Sequence, residues 1–153
     1  MESPLINQIT EIPTFPTDLN WRIKATFERF NEPKEIAIPN VLGETNYEKY
    51  YGILKFNIEG KEYSLIPTGD GINEDFFVIF ADGTSAEETY GAGRFLSVEK
   101  LDKDGDIYID FNKATNPPCA FTAFATCPLP PKENILEVKI LAGEKINEHI
   151  GKH

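Results

Sequence analysis

Histidine is almost missing from this chain of 153 residues: only His149 and His153 occur, both among the last five positions. The body of the chain therefore offers no histidine as a general base or a zinc ligand. Cysteine is scarce too, and Cys119 and Cys127 are separated by seven residues, which is neither a redox Cys-x-x-Cys nor a zinc-knuckle spacing. No metal and no cofactor are expected. In a reducing cytoplasm the two thiols read as small buried groups under a loop, though the loop could bring them within bonding distance. A nucleophilic Cys119 lacks a base to lower its pKa. No apolar run is long enough to span a bilayer, and the start, MESPLINQITEIP, lacks the basic and apolar regions of a secretory signal. The expectation is a cytoplasmic protein without a membrane partner. Lysine and arginine number 15 against 25 acids, a net charge of −10, with no basic stripe, so a nucleic-acid backbone would be repelled.

What is present is globular and aromatic. Hydrophobic residues make up 41% and charged residues 26%, ordinary values for one domain, while 11 phenylalanines, 6 tyrosines and 1 tryptophan favour strands. Trp21, Ile23, Ala25 and Phe27 alternate with Arg22, Lys24 and Thr26, the period of a half-buried strand. Leu54, Phe56 and Ile58 alternate, Glu59-Gly60 turns, and Tyr63 and Leu65 resume, which predicts a hairpin. Phe76 to Phe80 is apolar at every position and predicts a strand covered on both faces. Leu96 and Val98, an Asp104-Gly105 turn, then Ile107, Ile109 and Phe111 predict a second hairpin. Leu136, Val138 and Ile140 predict a last strand. With Glu35–Ile38 added, the fold class is all-β: an antiparallel barrel or sandwich of about seven or eight strands, without a helical stripe of comparable strength. The expected organisation is an arm over residues 1–20, a single β domain over 21–145 and a tail over 146–153.

Between the last two strand signals lies a loop from Asn112 to Asn134 that holds both cysteines and five of the 11 prolines. Such long connections inside a compact domain are usually functional or disordered. The apolar middle, Ala120, Phe121, Ala123, Phe124 and Ala125, favours a docked loop covering one end of the sheet. Four segments carry a resemblance: FADGTSAEETYGAGRFL at 80–96, DFNKATNPPCAF at 110–121, CPLPPKENIL at 127–136 and AGEK at 142–145. On these the chain resembles the prokaryotic family catalogued as domain of unknown function 1684, with weaker similarity at WRIKATF (21–27) and YYGILKFNIEGKEYSLIP (50–67). It departs at Ala86, where the family often has glycine, and at Thr115, where it often has an aromatic residue. The resemblance implies a shared fold and no particular activity.

Candidate site residues follow from charge and position. The alternating carboxylates of Asp102 to Asp106 lack the glycine and glutamate spacing of a calcium loop and read as a solvated turn. The glycines before Arg94 lack a phosphate-loop continuation and read as a tight strand entry. Arg94 itself can grip a carboxylate, either a ligand's or that of Asp82, Asp110 or Glu144. Asp110, Asn112 and Asn116 either hold the loop through its backbone or orient a ligand, and Asn134 is expected to hold it as well. The leading expectation is a site for a small polar or anionic molecule, with Arg94 supplying charge, Asp110, Asn112 and Asn116 orienting it, and Tyr90, Phe121 and Phe124 lining the wall. The first alternative is a cofactor-free hydrolase or isomerase working through paired carboxylates among Asp82, Asp110 and Glu144. The second is a purely architectural role.

Overall fold

The computed structural model describes residues 13–85, 87–101, 106–117 and 128–145. Ala86, the Asp104-Gly105 turn, both cysteines, Phe121 and Phe124 lie outside the described residues. Among the described residues six strands form, where seven or eight were expected: β1 (Arg22–Pro39), β2 (Thr45–Ile58), β3 (Lys61–Leu65), β4 (Phe76–Phe80), β5 (Arg94–Val98) and β6 (Ile107–Asp110). They build one antiparallel sheet in the order β3-β2-β1-β6 and a second of β4 and β5. The two sheets share one core, and no barrel closes.

The first predicted hairpin is β2–β3, and its turn residues Glu59 and Gly60 both take positive φ, 51° and 82°, as a two-residue hairpin turn requires. Strand β4 is covered on both faces. Phe76, Val78 and Phe80 enter the main core, while Ile79 joins a second cluster with Ile36 and Ile38.

Three expectations are corrected. Glu35–Ile38 is the far half of β1, not a separate strand. The register with β2 shifts between Arg29 and Lys34, from Arg29↔Gly52 to Lys34↔Tyr50, leaving three extra residues on β1. Pro33 lies in this bulge, where the missing N–H of proline costs no ladder bond. An odd insertion reverses which side chains face inward, so Ala25 is buried before the bulge and Ile36 and Ile38 after it. The second hairpin does not form: β5 pairs with β4, and β6 pairs with β1 from Arg22↔Asp110 to Ala25↔Ile107. Alternation and an Asp-Gly turn indicate extended backbone without naming the partner. The other side of β5 is met instead by Thr115, through paired backbone bonds with Phe95 of 2.8 Å each.

Leu136 to Ile140 bends at Glu137 and Val138 and is no strand, although Leu136 and Ile140 are buried as the alternation implied. Only isolated backbone bonds tie it to the 81–83 segment, Leu136 N–H to the Ala81 carbonyl and Gly83 N–H to that of Val138. Side chains take backbone groups that a ladder would otherwise use, as the site shows.

Phe111 is the aromatic hub between the sheets. Its ring lies 5.8 Å from that of Phe56 on β2, 5.6 Å from Phe80 on β4 and 6.2 Å from Trp21. At the edge of the body, residues 13–15 run beside 143–145, with Thr14 opposite Glu144 and backbone bonds from Phe15 to Gly143 and from Lys145 to Pro13.

Candidate functional site

Arg94 opens β5, and Gly93 before it takes φ of 91°. A Cβ at Gly93 would sit 2.6 Å from the Phe80 carbonyl oxygen, so the close entry into the strand requires glycine. The entry turns the Arg94 side chain inward, where it is 1% exposed. Residues 140–144 run past it, and the bend at Gly143, with φ of 82°, keeps the carbonyls on either side within reach of one guanidinium. Arg94 spans that row: Nη2 donates to the Ile140 carbonyl at 3.2 Å, and Nη1 donates to the carbonyls of Ala142 and, at 3.3 Å, Glu144. The guanidinium does for this segment what a neighbouring strand's N–H groups would do. The guanidinium carbon also lies 5.2 Å from the Phe80 ring centroid.

Asp82 completes the arrangement. Its carboxylate lies 3.5 Å from Arg94 Nη2, with both side chains essentially out of solvent at 0% and 1% exposed. It also accepts from Thr84 Oγ1 at 2.9 and 3.0 Å and from the Ile140 N–H. The Thr84 and Thr89 hydroxyls are 2.9 Å apart, which ties the 82–89 turn into the same network. Burial pushes the Arg94 pKa down from its ordinary value, while the Asp82 carboxylate and, after it, that of Glu144 push it back up. Arg94 Nε has no hydrogen-bond partner among the described residues.

The expected site residues divide into separate tasks. Glu144 Oε1 accepts from the Asn116 N–H at 2.7 Å, and Asn116 Nδ2 donates to the Lys145 carbonyl at 3.2 Å. Asn112 holds the incoming arm: its Oδ1 accepts from the Asp18 N–H and its Nδ2 donates to the Asp18 carbonyl at 2.8 Å. Asp110 accepts from the Asn112 backbone and side-chain amides, closing a single turn of 3-10 helix at Phe111–Lys113. The Tyr90 carbonyl accepts from the Gly93 N–H, fixing the turn before Arg94. Asn134 is 1% exposed, accepts from the Ile66 N–H and donates to the carbonyls of Ile66 and Ile79, so it ties the end of the long loop to β4.

Beside Asp110 opens a cleft of about 200 Å³ that sequence reasoning missed. Arg22, Lys100 and Lys113 line it with Ser97, Tyr108 and the acids Glu99, Asp106 and Asp110. None of the three cations is in an ion pair among the described residues, whereas Asp106 pairs with Lys24 at 3.8 Å and Asp110 serves its own turn. The Arg22 guanidinium carbon lies 3.9 Å from the Tyr108 ring centroid. The cations come from three separated segments, so no local motif marks them; only the β1–β6 register brings Arg22 beside Asp110.

Among the described residues no group of three histidine, cysteine or acidic side chains is placed to hold a metal, and no helix is long and apolar enough to cross a membrane. Fold and network together define a small antiparallel β domain locked by a buried arginine–aspartate pair. The chain belongs to the family described as Protein of unknown function (DUF1684), whose profile matches residues 7–145. It is similar to the solution NMR structure of an uncharacterized protein from Haloarcula marismortui, at 28% identity and a TM-score of 0.73, covering 96% of this chain and 83% of that one. No curated protein matches. Much of the resemblance first seen in sequence converges here: Phe80 to Arg94, Asp110 to Asn116 and Ala142 to Lys145 assemble this network and its supports. Gly143, with φ of 82°, lies so near Ala114 that a Cβ would approach its carbonyl oxygen to 2.8 Å.

Proposed function

We propose that this domain binds a small polar anion, in the cleft between Arg22, Lys100 and Lys113 and not at Arg94. The observation that carries the reading is three cations, without ion pairs among the described residues, lining one concavity of a chain with net charge −10. All three, Arg22, Lys100 and Lys113, are exposed, so solvated donors face an incoming carboxylate or phosphate, and the Ser97 and Tyr108 hydroxyls add neutral partners. At about 200 Å³ the cleft lies below the roughly 300–1,000 Å³ of drug-sized sites, so the ligand is small. The face-to-face sheets, best described as sandwich-like, set the cleft at the β6 edge. Arg94 and Asp82 are architectural in this reading, because hydrogen bonds to protein groups already engage them and solvent does not reach them. The same burial weighs against a hydrolase or isomerase using Asp82 as its acid.

The test is a titration with succinate and with inorganic phosphate, followed by amide chemical shifts. Shifts at Ser97, Lys100, Tyr108 and Lys113 that vanish in a Lys100→Ala/Lys113→Ala variant of unchanged melting temperature are expected. Unmoved amides at those positions with both anions at millimolar concentration overturn the reading.

A further inference from the structure

The odd bulge in β1 builds a second concavity, opposite in chemistry to the first. Beyond it, Ile36 and Ile38 turn toward Phe77 and Ile79 of β4, and the facing residues of β2, Glu48 and Asn46, lie on the same side as their partners Ile36 and Ile38. The result is a groove of about 320 Å³ floored by Ile38, Phe77 and Ile79 and edged by Asn46, Glu48 and Thr68. Asn40, also at the edge, is committed: it accepts from the Leu42 and Glu44 N–H groups and caps the β1–β2 turn. Glu48 is not. Its side chain is exposed, makes no hydrogen bond or ion pair among the described residues, and is the one charged group among those that line the groove.

We infer that this groove is a second binding site, for a small primary amine with an aromatic or branched hydrocarbon body. The hydrocarbon would cover the isoleucine and phenylalanine floor, removing apolar surface from water. The ammonium would meet Glu48, with the Asn46 and Thr68 side-chain oxygens as further acceptors. No cation lines the groove, so an anion of the same shape meets repulsion from Glu48 and an alcohol gains no ion pair. The volume falls at the lower end of ordinary small-molecule sites. Opposite charge preference separates this site from the anion cleft, and neither reading depends on the other.

The experiment compares phenethylamine, 2-phenylethanol and 3-phenylpropionate on the whole chain by amide chemical shifts. Phenethylamine is expected to bind tightest, moving Asn46, Glu48, Thr68 and Phe77 and leaving Ser97 and Tyr108 still. Because an exposed ion pair has a modest effect, Glu48→Gln should weaken the amine only about two- to fivefold, and Glu48→Lys should reverse the order of amine and acid. Glu48 is exposed, so neither change should disturb folding. Equal affinity for all three compounds, or shifts confined to the Asp110 cleft, overturns the inference. So does a shift of the groove residues with protein concentration alone while all three compounds fail to bind, which marks the face as a contact between copies.

Discussion

Two charged regions of this domain use the same chemistry in opposite ways. Around Arg94 every major polar partner is supplied by the chain, from Asp82, Thr84 and three backbone carbonyls, and solvent is excluded. Around the Asp110 cleft, Arg22, Lys100 and Lys113 line one concavity without ion pairs among the described residues and stay within reach of water. The first region is built largely from the segments that carry the strongest resemblance, and the second mixes Asp110 and Lys113 from such segments and Arg22 from a weaker one with residues between them, Ser97, Glu99, Lys100, Asp106 and Tyr108. What separates the two regions is burial and engagement: the first holds the 140–144 segment with buried groups that the chain engages, and the second leaves its cations in solvent.

The sharpest way to break this comparison is Arg94→Ala. Removing one member of a buried pair leaves Asp82 and three carbonyls without their donor and should cost about 3–5 kcal/mol, read by urea unfolding. Arg94→Lys should not restore stability, since a point ammonium cannot span the row of carbonyls. Wild-type stability in either variant would show that the network is dispensable. Asn134→Ala is expected next in size. It strands the Ile66 and Ile79 backbone groups and should cost about 1–3 kcal/mol by the same measurement.

Asn112→Ala tests the boundary between the regions, because Asn112 bonds to Asp110 beside the cleft and to the arm at Asp18. A clamp of partly exposed bonds should be worth about 1 kcal/mol, with amide protection lost around Asp18 before anywhere else. A variant that keeps this protection assigns the arm's docking to the Thr14–Glu144 ribbon alone.

The smallest effect concerns an exposed acid that is nonetheless committed. Asp70 accepts from the N–H groups of Ile72, Asn73 and Glu74, and these hold its pKa at about 2, below the ordinary 3.8. A depressed carboxylate contributes stability that is fully present above its unfolded value of 3.8 and disappears as pH falls through about 2. Direct titration of the Asp70 carboxyl by NMR, together with the acid limb of unfolding for Asp70→Asn, measures this. A carboxyl titrating near 3.8 would show that the turn does not grip it.

What the sequence discloses and conceals follows from distance along the chain. The β2–β3 hairpin and the doubly covered β4 are written in adjacent residues, and they appear as read; for Arg94 the sequence leaves a ligand's carboxylate, Asp82, Asp110 and Glu144 open, and the fold places Asp82 beside it. The partners of β5 and β6 are not, because alternation is the same whichever strand lies alongside. The single strand β1 was split in two by its own bulge. A change of phase from Ala25 and Phe27 to Ile36 and Ile38, with Pro33 between, was the available signal for an odd insertion. Both concavities escaped for a related reason: each needs a register between distant strands before its charges become neighbours.

The ribbon between residues 13–15 and 143–145 has a kinetic consequence. Pairing Thr14 with Glu144 closes almost the whole described chain into one loop, a contact of very long sequence separation. The entropy of closing such a loop is offset only after the intervening strands have already brought the two ends together. The 143–145 side of the ribbon is itself held by Arg94 through Glu144. The expected order of assembly is the sheets first, the arginine's capture of 140–144 second and the arm last. Opening in reverse would make the arm the first place to exchange with solvent, which amide exchange at Thr14 and Phe15 against β4 measures.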